Sequence, residues 1–286
     1  MGAAFETVTS YVTNGTGTAG TYYAAAAQSG QSLTVRATPT DLAGKMMAVF
    51  GQSSVATYMR INSARMHDQV VGTEFAIPAY SAATAPGLAS GIEYEEPLWN
   101  TDILSVAFTT VATAAFTGIA AFTSYYPSLG GIQQNMMTWA QVQSYVNPAN
   151  KTGLHYVSWV TPTIGGTVGV IGAGTAINAV NDQFKANHSY ALLGYLTPTA
   201  VGVVQIQGTD TGNLYLGGPG SPDPAITSDY FVRLSKVNNL ACIPIVQANN
   251  KGNTFVYLTD AHATSGTPAV GLIWVDLGTG VPPVGS

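Results

Sequence analysis

Asn253-Thr-Phe-Val-Tyr-Leu-Thr259 and Tyr58-Met-Arg-Ile-Asn62 indicate the fold class, because side chains in both stretches alternate between two opposite faces. Similar short stretches follow one another along the 286 residues, separated by Gly, Pro, Asn and Ser. Many short strands with turn residues between them are typical of a β-sandwich or barrel. The sequence therefore predicts an all-β protein.

Charge is scarce in this chain. Charged residues make up 8%, and nine Lys and Arg against fourteen Asp and Glu give a formal net charge of -5; an average soluble protein is about 25% charged. The hydrophobic fraction of 46% is ordinary and argues against general disorder. A neutral polar surface is poorly protected against association, which suits a protein that packs against copies of itself or works outside the cytosol. The basic residues, scattered from Arg36 to Lys251, are too few for a nucleic-acid-binding patch.

The single cysteine limits the covalent chemistry. Cys242 excludes an intrachain disulfide and any metal site that needs several thiolates. It lies in the apolar run Leu240-Ala-Cys-Ile-Pro-Ile245, so we expect a buried, inert thiol. The first basic residue is Arg36, so a standard secretory signal is not expected.

Residues 103–122 have the length and the lack of charge of a membrane span. However, the segment contains one Ser and four Thr and has no basic residues at its ends. Its Thr, Val, Ile and Phe suit pleated strands. We predict two strands with a turn here, with a transmembrane helix as the alternative.

One segment departs from the strand pattern. Residues 137–146, MTWAQVQSYV, predict a short helix that Asn147-Pro148 ends. The Gly- and Pro-rich segment 217–224 predicts a loop, and residues 230–235 predict a strand.

The order of the predicted strands repeats in the two halves of the chain. Residues 46–50 and 58–61 match residues 191–195 and 203–206, the latter 145 positions further on, and 103–108, 117–123 and 154–160 match 241–246, 255–261 and 270–277. About eight strands per half is the number in a jelly roll. We predict two tandem jelly-roll barrels, residues 1–160 with the helix as an insertion and residues 161–286, joined near 161–166.

Signals for enzymatic chemistry are weak. Gly172-Ala-Gly174 follows an apolar stretch as in a dinucleotide-binding turn, but Ile177 takes the third glycine position and no acidic residue follows about twenty residues later. The histidines, His67, His155, His188 and His262, show no metal-binding spacing. We therefore predict no catalytic, cofactor-binding or metal-binding residue and no cofactor.

One stretch is similar to a known family. Gly72-Thr-Glu-Phe-Ala-Ile-Pro-Ala-Tyr-Ser81 resembles the strand-then-Pro-aromatic segment of jelly-roll coat proteins of icosahedral viruses. Phe75 and Ile77 would point into one barrel, Pro78 would end the strand pairing, and Tyr80 could pack over the barrel mouth. With the alternating strands, the repeat, the helix and the neutral surface, the chain looks like a double jelly-roll major capsid protein of membrane-containing viruses.

That resemblance implies a function and its partners. In the family, two upright barrels per chain form a trimer with a pseudo-hexagonal outline that tiles the shell. The expected partners are further copies of this chain, with minor capsid or vertex proteins and an internal membrane as further candidates. The expected location is the virion, assembled in the host cytoplasm. No direct nucleic-acid binding is expected, because no basic arm is present.

The sequence thus predicts a non-enzymatic structural protein that assembles into a viral shell. The first alternative is a phage tail or surface β-protein that binds carbohydrate through exposed aromatic residues such as Tyr125, Tyr126 and Trp139. The second is a β-sandwich glycosidase that uses the carboxylates of Glu93-Tyr-Glu-Glu96.

Overall fold

A computed structural model describes residues 2–66, 73–77, 79, 96–147, 149, 152–153, 155–165, 170–177, 184–197, 201–259 and 266–281. Strands dominate these residues, and they form four antiparallel sheets. The all-β prediction is confirmed.

The N-terminal half forms two sheets that face each other. Its strands are β1 (Gly2–Gly17), β2 (Tyr23–Ala24), β3 (Ala26–Ala27), β4 (Leu42–Ser53), β5 (Thr57–Asn62), β6 (Thr73–Ile77), β7 (Glu96–Trp99), β8 (Ser105–Thr110) and β9 (Ala114–Leu129). Sheet I has the order β3-β1-β9-β4-β7, and sheet II has the order β2-β8-β5-β6. Phe122 of sheet I and Phe108 of sheet II belong to one apolar core between them.

The C-terminal half also forms two facing sheets. Its strands are β10 (Met136–Met137), β11 (His155–Val160), β12 (Thr175–Ala176), β13 (His188–Leu196), β14 (Val201–Gly208), β15 (Leu216–Gly220), β16 (Ile243–Gln247), β17 (Thr254–Thr259) and β18 (Val270–Thr279). Sheet III has the order β10-β16-β13-β18-β11, and sheet IV has the order β12-β17-β14-β15. Trp274 of sheet III and Leu258 of sheet IV share the second core.

Both halves pair their strands in the same way. Without the short β3, the N-terminal half pairs β1 with β9, β2 with β8, β4 with β7 and β5 with β6. Without the short β10, the C-terminal half pairs β11 with β18, β12 with β17, β13 with β16 and β14 with β15. In each half the first of eight described strands therefore pairs with the last, the second with the seventh, the third with the sixth and the fourth with the fifth. β4 and β13 also pair with the last strand of their half, and each has a register shift there, at Met46/Ala48 and at Leu192/Gly194.

Cross-strand partners extend an alignment of the two halves from one strand to the next. Met59 pairs with Phe108, and Val204 pairs with Leu258. When Met59 is aligned with Val204 at the predicted offset of 145, their partners Phe108 and Leu258 are aligned at an offset of 150.

The three later matches predicted from the sequence are wrong by one strand. The prediction paired β8 with β16, β9 with β17 and β11 with β18, whereas the strand orders pair β8 with β17, β9 with β18 and β11 with β1. The cause is that β1 and β7 were not predicted from the sequence. Because these strands were left out of the count in the N-terminal half, the later strands were matched with the wrong strands of the C-terminal half.

The described residues between 136 and 160 lie with the C-terminal half. β10 pairs with β16, β11 pairs with β18, and helix α1 (Trp139–Ser144) contacts helix α3 (Tyr230–Asn238). The sequence prediction had placed this segment and its helix in the first barrel, with the boundary at residue 160. None of the four sheets described mixes strands of 2–129 with strands of 136–279, and the division into two independent units remains a prediction.

The helices are short. α1 begins at a capping box in which Thr138 and Gln141 satisfy each other's backbone N–H groups, within the predicted helical segment. α3, preceded by α2 (Pro224–Thr227), replaces the strand predicted at 230–235; Tyr230, Phe231 and Leu234 bury one of its faces.

Two other sequence predictions have opposite outcomes. Residues 105–110 lie in β8 and residues 114–122 in β9, with a bend at 111–113 between them, as the two-strand prediction expected. Residues 217–220 belong to β15, so the loop prediction is wrong there. β15 is an edge strand of sheet IV, a position at which a strand tolerates Gly and Pro.

Candidate functional site

The two halves meet through the outer faces of sheets I and IV, where the outer face is the one turned away from the core of that half. Thr7 lies on this face of β1, because the alternate residues Glu6 and Val8 point to the other side. On sheet IV, Val203 lies on the outer face and packs in an apolar cluster with Ile119 of sheet I. Sheets I and IV therefore both take part in the contact between the halves.

A network of neutral hydrogen bonds joins these faces. Thr7 Oγ1 accepts a hydrogen bond from the Gly217 N–H at 2.9 Å and donates to the Gly217 carbonyl at 3.1 Å. Gln205 Nε2 donates to the Thr7 carbonyl at 3.0 Å, and Gln28 Nε2 donates to Thr259 Oγ1 at 2.6 Å. All five residues are buried, so each of these polar groups needs its partner.

Strand β3 pairs with the outer edge of β1 at Ser10 and Tyr11, and side-chain amides and a carbonyl close this edge at residues 5–9. Gln134 accepts from the Phe5 N–H and donates to the Phe5 carbonyl, both at 2.7 Å, as a paired strand would. The Thr7 N–H donates to the Tyr215 carbonyl at 2.7 Å. Thr9 is paired by Gln31, whose Oε1 accepts its N–H at 2.5 Å. Such closure protects a long strand from pairing with another chain.

These contact residues were missed in the sequence because β1 was not recognised. The signal that could have found them is the period-two placement of Phe5, Thr7, Thr9 and Tyr11 on one face of the strand. Their partners Gln134, Gln205 and Gly217 lie far along the chain, and no local sequence pattern identifies them.

A charged cluster lies at one end of the second core. Asp276 of β18 is 4% exposed, and its carboxylate accepts hydrogen bonds from His188 Nδ1 at 2.7 Å and Lys185 Nζ at 3.1 Å. Burial opposes ionisation of Asp276, but hydrogen bonds from His188, the Gly278 N–H and Lys185 outweigh it and hold its pKa below the ordinary value. A cleft of about 400 Å³, lined in part by Tyr145, opens beside His188.

The first core also holds a buried acid, Glu6, but on a different strand from Asp276. Glu6 on β1 is paired with Arg36 at 2.5 Å. Tyr126 on β9, 150 residues before Asp276, is buried, and that burial and the nearby Glu6 raise its pKa to about 12. The acid thus lies on the first strand in one half and on the last strand in the other.

Two further titratable groups are buried, and one of them, Asp210, has hydrogen-bond partners. Asp210 is held by the amide groups of Asn135 and Asn250, at 2.6 and 3.0 Å, and by the Gln247 N–H at 3.0 Å. Burial raises the pKa of Asp210, although these hydrogen bonds oppose the increase. Burial also raises the pKa of Cys242, which agrees with an unreactive thiol.

The predicted family segment is described only in part. Ile77 on β6 is 1% exposed and Phe75 packs against the first core, while Glu74 and Ala76 lie on the exposed face. Pro78 and Tyr80 lie outside the described residues. The role of the four-residue motif remains a prediction.

The aromatic residues named for carbohydrate binding are buried or partly buried. Tyr126 is buried, Tyr125 packs against Phe5 with ring centroids 4.8 Å apart, and Trp139 packs against the second core. Glu93 and Glu95 lie outside the described residues, and Glu96 begins β7.

The remaining sequence motifs have structural explanations. A side chain at Gly172 would collide with the Thr163 carbonyl, and a side chain at Gly174 would collide with the Tyr257 ring, so these glycines permit close packing before β12. His155 is exposed on β11, whereas His67 and His262 lie outside the described residues.

Two kinds of site are not found in the described part of the chain. It contains no group of three or more His, Cys, Asp or Glu that could hold a metal ion. Within the same residues, no helix has the length and apolar character needed to cross a bilayer.

Comparisons with known proteins give little. No protein-family model matches the sequence, and no curated protein matches it. Among solved structures, the PBSX exported protein XepA is 12% identical, over 94% of this chain and 86% of its own, with a TM-score of 0.20. A similarity of this size carries no argument about fold or function.

Proposed function

We propose that this chain is a double jelly-roll major capsid protein, a non-enzymatic structural protein that forms trimers and builds the shell of a virion. The observation that carries the proposal is the strand pairing of first with eighth, second with seventh, third with sixth and fourth with fifth in both halves. This is the pairing expected when a long hairpin of four strand pairs is rolled into two facing sheets, as in a jelly roll.

The contact between the halves supports the same function. Two barrels that tile a shell must hold a fixed mutual orientation. Here hydrogen bonds at Thr7 and Gln28 and the apolar packing of Val203 fix one sheet of each half against the other. Neutral groups suit such a contact, because burying unpaired charge is costly.

The distribution of basic groups supports an assembly role without direct nucleic-acid contact. Arg36, Arg65, Lys185 and Arg233 each form an ion pair with an acidic residue of this chain. Their charges are thereby partly neutralised and are less available to phosphate groups.

The mass of the purified protein tests the proposal. We expect trimers by light scattering and particles with a hexagonal outline by negative-stain microscopy. A chain that stays monomeric at high concentration, or slender particles, would refute the capsid proposal. Release of sugar from a glycan, lost on Glu96→Gln, would favour the glycosidase.

A further inference from the structure

We infer that the cleft beside His188 binds a neutral carbohydrate, with one sugar hydroxyl hydrogen-bonded to His188 Nε2. The site lies within one chain, so the inference goes beyond the proposed function and does not depend on how copies assemble. It is carried by a histidine ring that a buried acid orients within a cavity lined by neutral polar groups.

The cleft lies at the end of sheet III where β13 begins and β18 ends. β18 has a register shift here, because Ser189 pairs with Gly278 and Tyr190 pairs with Asp276, which leaves Leu277 as an extra residue. Such bulges bend a strand and are common next to active sites. Leu277 and Gly278 both line the cleft, so the bent end of β18 forms one of its walls.

Gly278 gives this wall its shape. It has a φ of +85°, a conformation that other residues rarely adopt, and a side chain here would lie 2.8 Å from Thr152 Cγ2. Its N–H donates to Asp276 at 2.8 Å. The glycine therefore lets β18 pass close to Thr152 and helps to fix the acid behind His188.

The buried acid determines how the His188 ring is used. The Asp276 carboxylate is ionised at neutral pH and only accepts hydrogen bonds, so His188 Nδ1 donates to it at 2.7 Å. In the neutral ring, Nε2 is then an acceptor, and no described residue hydrogen-bonds to it. The side chain is 21% exposed, and because Nδ1 is turned to the buried acid, the opposite edge of the ring carries the exposed part.

The ring is held in place before any ligand binds. The His188 N–H donates to the Lys185 carbonyl at 3.2 Å. The ring lies nearly parallel to the Tyr190 ring, with centroids 6.3 Å apart and an angle of 25° between the planes. An acceptor positioned in this way loses little freedom on binding, which favours affinity.

The lining of the cleft indicates the chemical class of the ligand. Apart from His188, every described residue that lines it is uncharged at neutral pH, and Ser144, Asn147 and Thr279 contribute hydroxyl and amide groups. Tyr145 adds an apolar ring with a polar hydroxyl. A sugar presents both C–H and O–H groups without charge, and a cleft of about 400 Å³ is within the range of roughly 300–1,000 Å³ typical of small-molecule sites.

A second, smaller cavity extends the same chemistry. It has a volume of about 160 Å³ and also borders on His188. Its other described lining residues are again uncharged and include Asn187, Gln247 and Asn249. A sugar bound in the cleft therefore has further amide groups within reach of a second sugar unit.

The first half shows that the fold does not require this polar lining. A cavity of about 380 Å³ lies where β4 begins and β9 ends, which are the third and eighth strands of their half when the short β3 is not counted, as β13 and β18 are when β10 is not counted. Its lining includes the apolar Leu42, Pro97 and Pro127 and the charged Lys45 and Glu96. The neutral polar groups around His188 are therefore particular to the second half.

Nuclear magnetic resonance of the histidine side chains tests the inference on the full chain. The probes are the methyl glycosides of glucose, galactose, mannose and N-acetylglucosamine, with glucuronic acid as the anionic comparison. We expect at least one neutral glycoside to shift the ¹⁵N signal of His188 Nε2 in a saturable titration. The signals of His188 are identified by their loss in His188→Asn.

Two variants separate binding from folding. In His188→Asn the side-chain amide keeps a donor for Asp276 but lacks Nε2, and saturation transfer from the protein to the glycoside measures the remaining binding. We expect the Kd to rise by about five- to tenfold, the effect of one lost hydrogen bond, with an unchanged thermal unfolding midpoint. Thr279→Val removes a hydroxyl of the cleft at an exposed position and should weaken binding in the same direction even if His188→Asn disturbs the fold. Leu42→Ala, in the cavity of the first half, is the matched control and should leave the Kd unchanged.

Three results would overturn the inference. If none of the four glycosides shifts His188 Nε2, the cleft is not a carbohydrate site. A Kd that is unchanged in both His188→Asn and Thr279→Val would place the sugar elsewhere, and tighter binding of glucuronic acid than of the neutral glycosides would make the site an anion site. None of these results bears on the trimers by which the proposed function is tested.

Discussion

The outer faces of sheets II and IV occupy equivalent places in the two halves, yet one is open and the other is covered. On sheet IV, Val203 and Gln205 lie against sheet I and are buried. On sheet II, the equivalent residues Tyr58 and Arg60 are partly exposed. The same pairing of strands therefore supports two surfaces of different character.

The difference lies in the outward positions and not in the core. Met59 and Ile61 of sheet II correspond to Val204 and Ile206 of sheet IV, and all four are buried and apolar. Interior residues must fill a closely packed space, whereas outward residues adapt to whatever each face meets. The comparison teaches that the two halves share their interior pattern and differ in their outer faces.

The largest effect on stability is expected when a charge is introduced on the buried face of β6. Ile77→Asp would bury an unpaired carboxylate in the first core, which costs several kcal/mol and approaches the total stability of about 5–15 kcal/mol. We expect insoluble protein or a loss of the cooperative unfolding transition, measured by circular dichroism.

Ala76→Asp is the matched control for that change. Ala76 is the neighbouring residue on the exposed face of the same strand, so the folded chain should survive, as it should in Glu74→Gln. Soluble, assembling Ile77→Asp protein would show that the register of β6 is reversed.

The second effect concerns Asp276, the buried acid of the second core, which lies on a different strand from Glu6 in the first core. Asp276→Asn removes a charge that accepts hydrogen bonds from His188 and Lys185, so the free energy of unfolding at pH 7 should fall by about 1.5–3 kcal/mol. The pKa of Asp276 is lower in the folded state than its ordinary value, so its stabilisation is present at neutral pH. It is lost as the pH falls below about 4 towards the folded-state pKa.

Urea unfolding at several pH values checks this linkage. The difference between Asp276→Asn and the native protein should shrink at acid pH. A difference that stays constant from pH 7 to pH 3 would contradict the pKa assignment.

The third effect compares Thr7 of β1, which the other half covers, with Val157 of β11, which is partly exposed. Thr7→Val keeps the shape of the side chain but leaves the Gly217 N–H without its hydroxyl acceptor, which should lower the free energy of unfolding by about 1–3 kcal/mol. The change Val157→Thr, at the partly exposed position, should alter stability by less than about 0.5 kcal/mol. Equal effects in thermal unfolding would mean that the two positions do not differ as described.

The smallest effect is expected from salt. The contact between the halves is neutral, and only 8% of residues are charged, so association of copies should change little between about 0.05 and about 1 M salt, where the Debye length falls from over ~10 Å to ~3 Å. Sedimentation velocity at both salt concentrations measures this. Dissociation at high salt would show that charge pairs hold the copies together.

Particular strands show how far the sequence was informative. β5 and β17 were predicted correctly because the alternation of their side chains is visible within each short segment. β7 was missed because Glu96 and Pro97 conceal its pattern, and α3 was predicted as a strand because Tyr230, Phe231 and Val232 favour strands locally. Packing of the apolar face of α3 overrides that local preference.

The sequence by itself determined the fold class, the neutral surface and the inertness of Cys242, because these depend on composition and on local periodicity. Only the tertiary structure decided that the described residues between 136 and 160 belong with the C-terminal half, that amides close part of the edge of β1, and that sheet IV covers sheet I. These are contacts between residues up to 231 positions apart, such as Gln28 and Thr259. Nothing in the neighbourhood of either residue specifies its partner, so pairing over such distances emerges only when the whole chain packs.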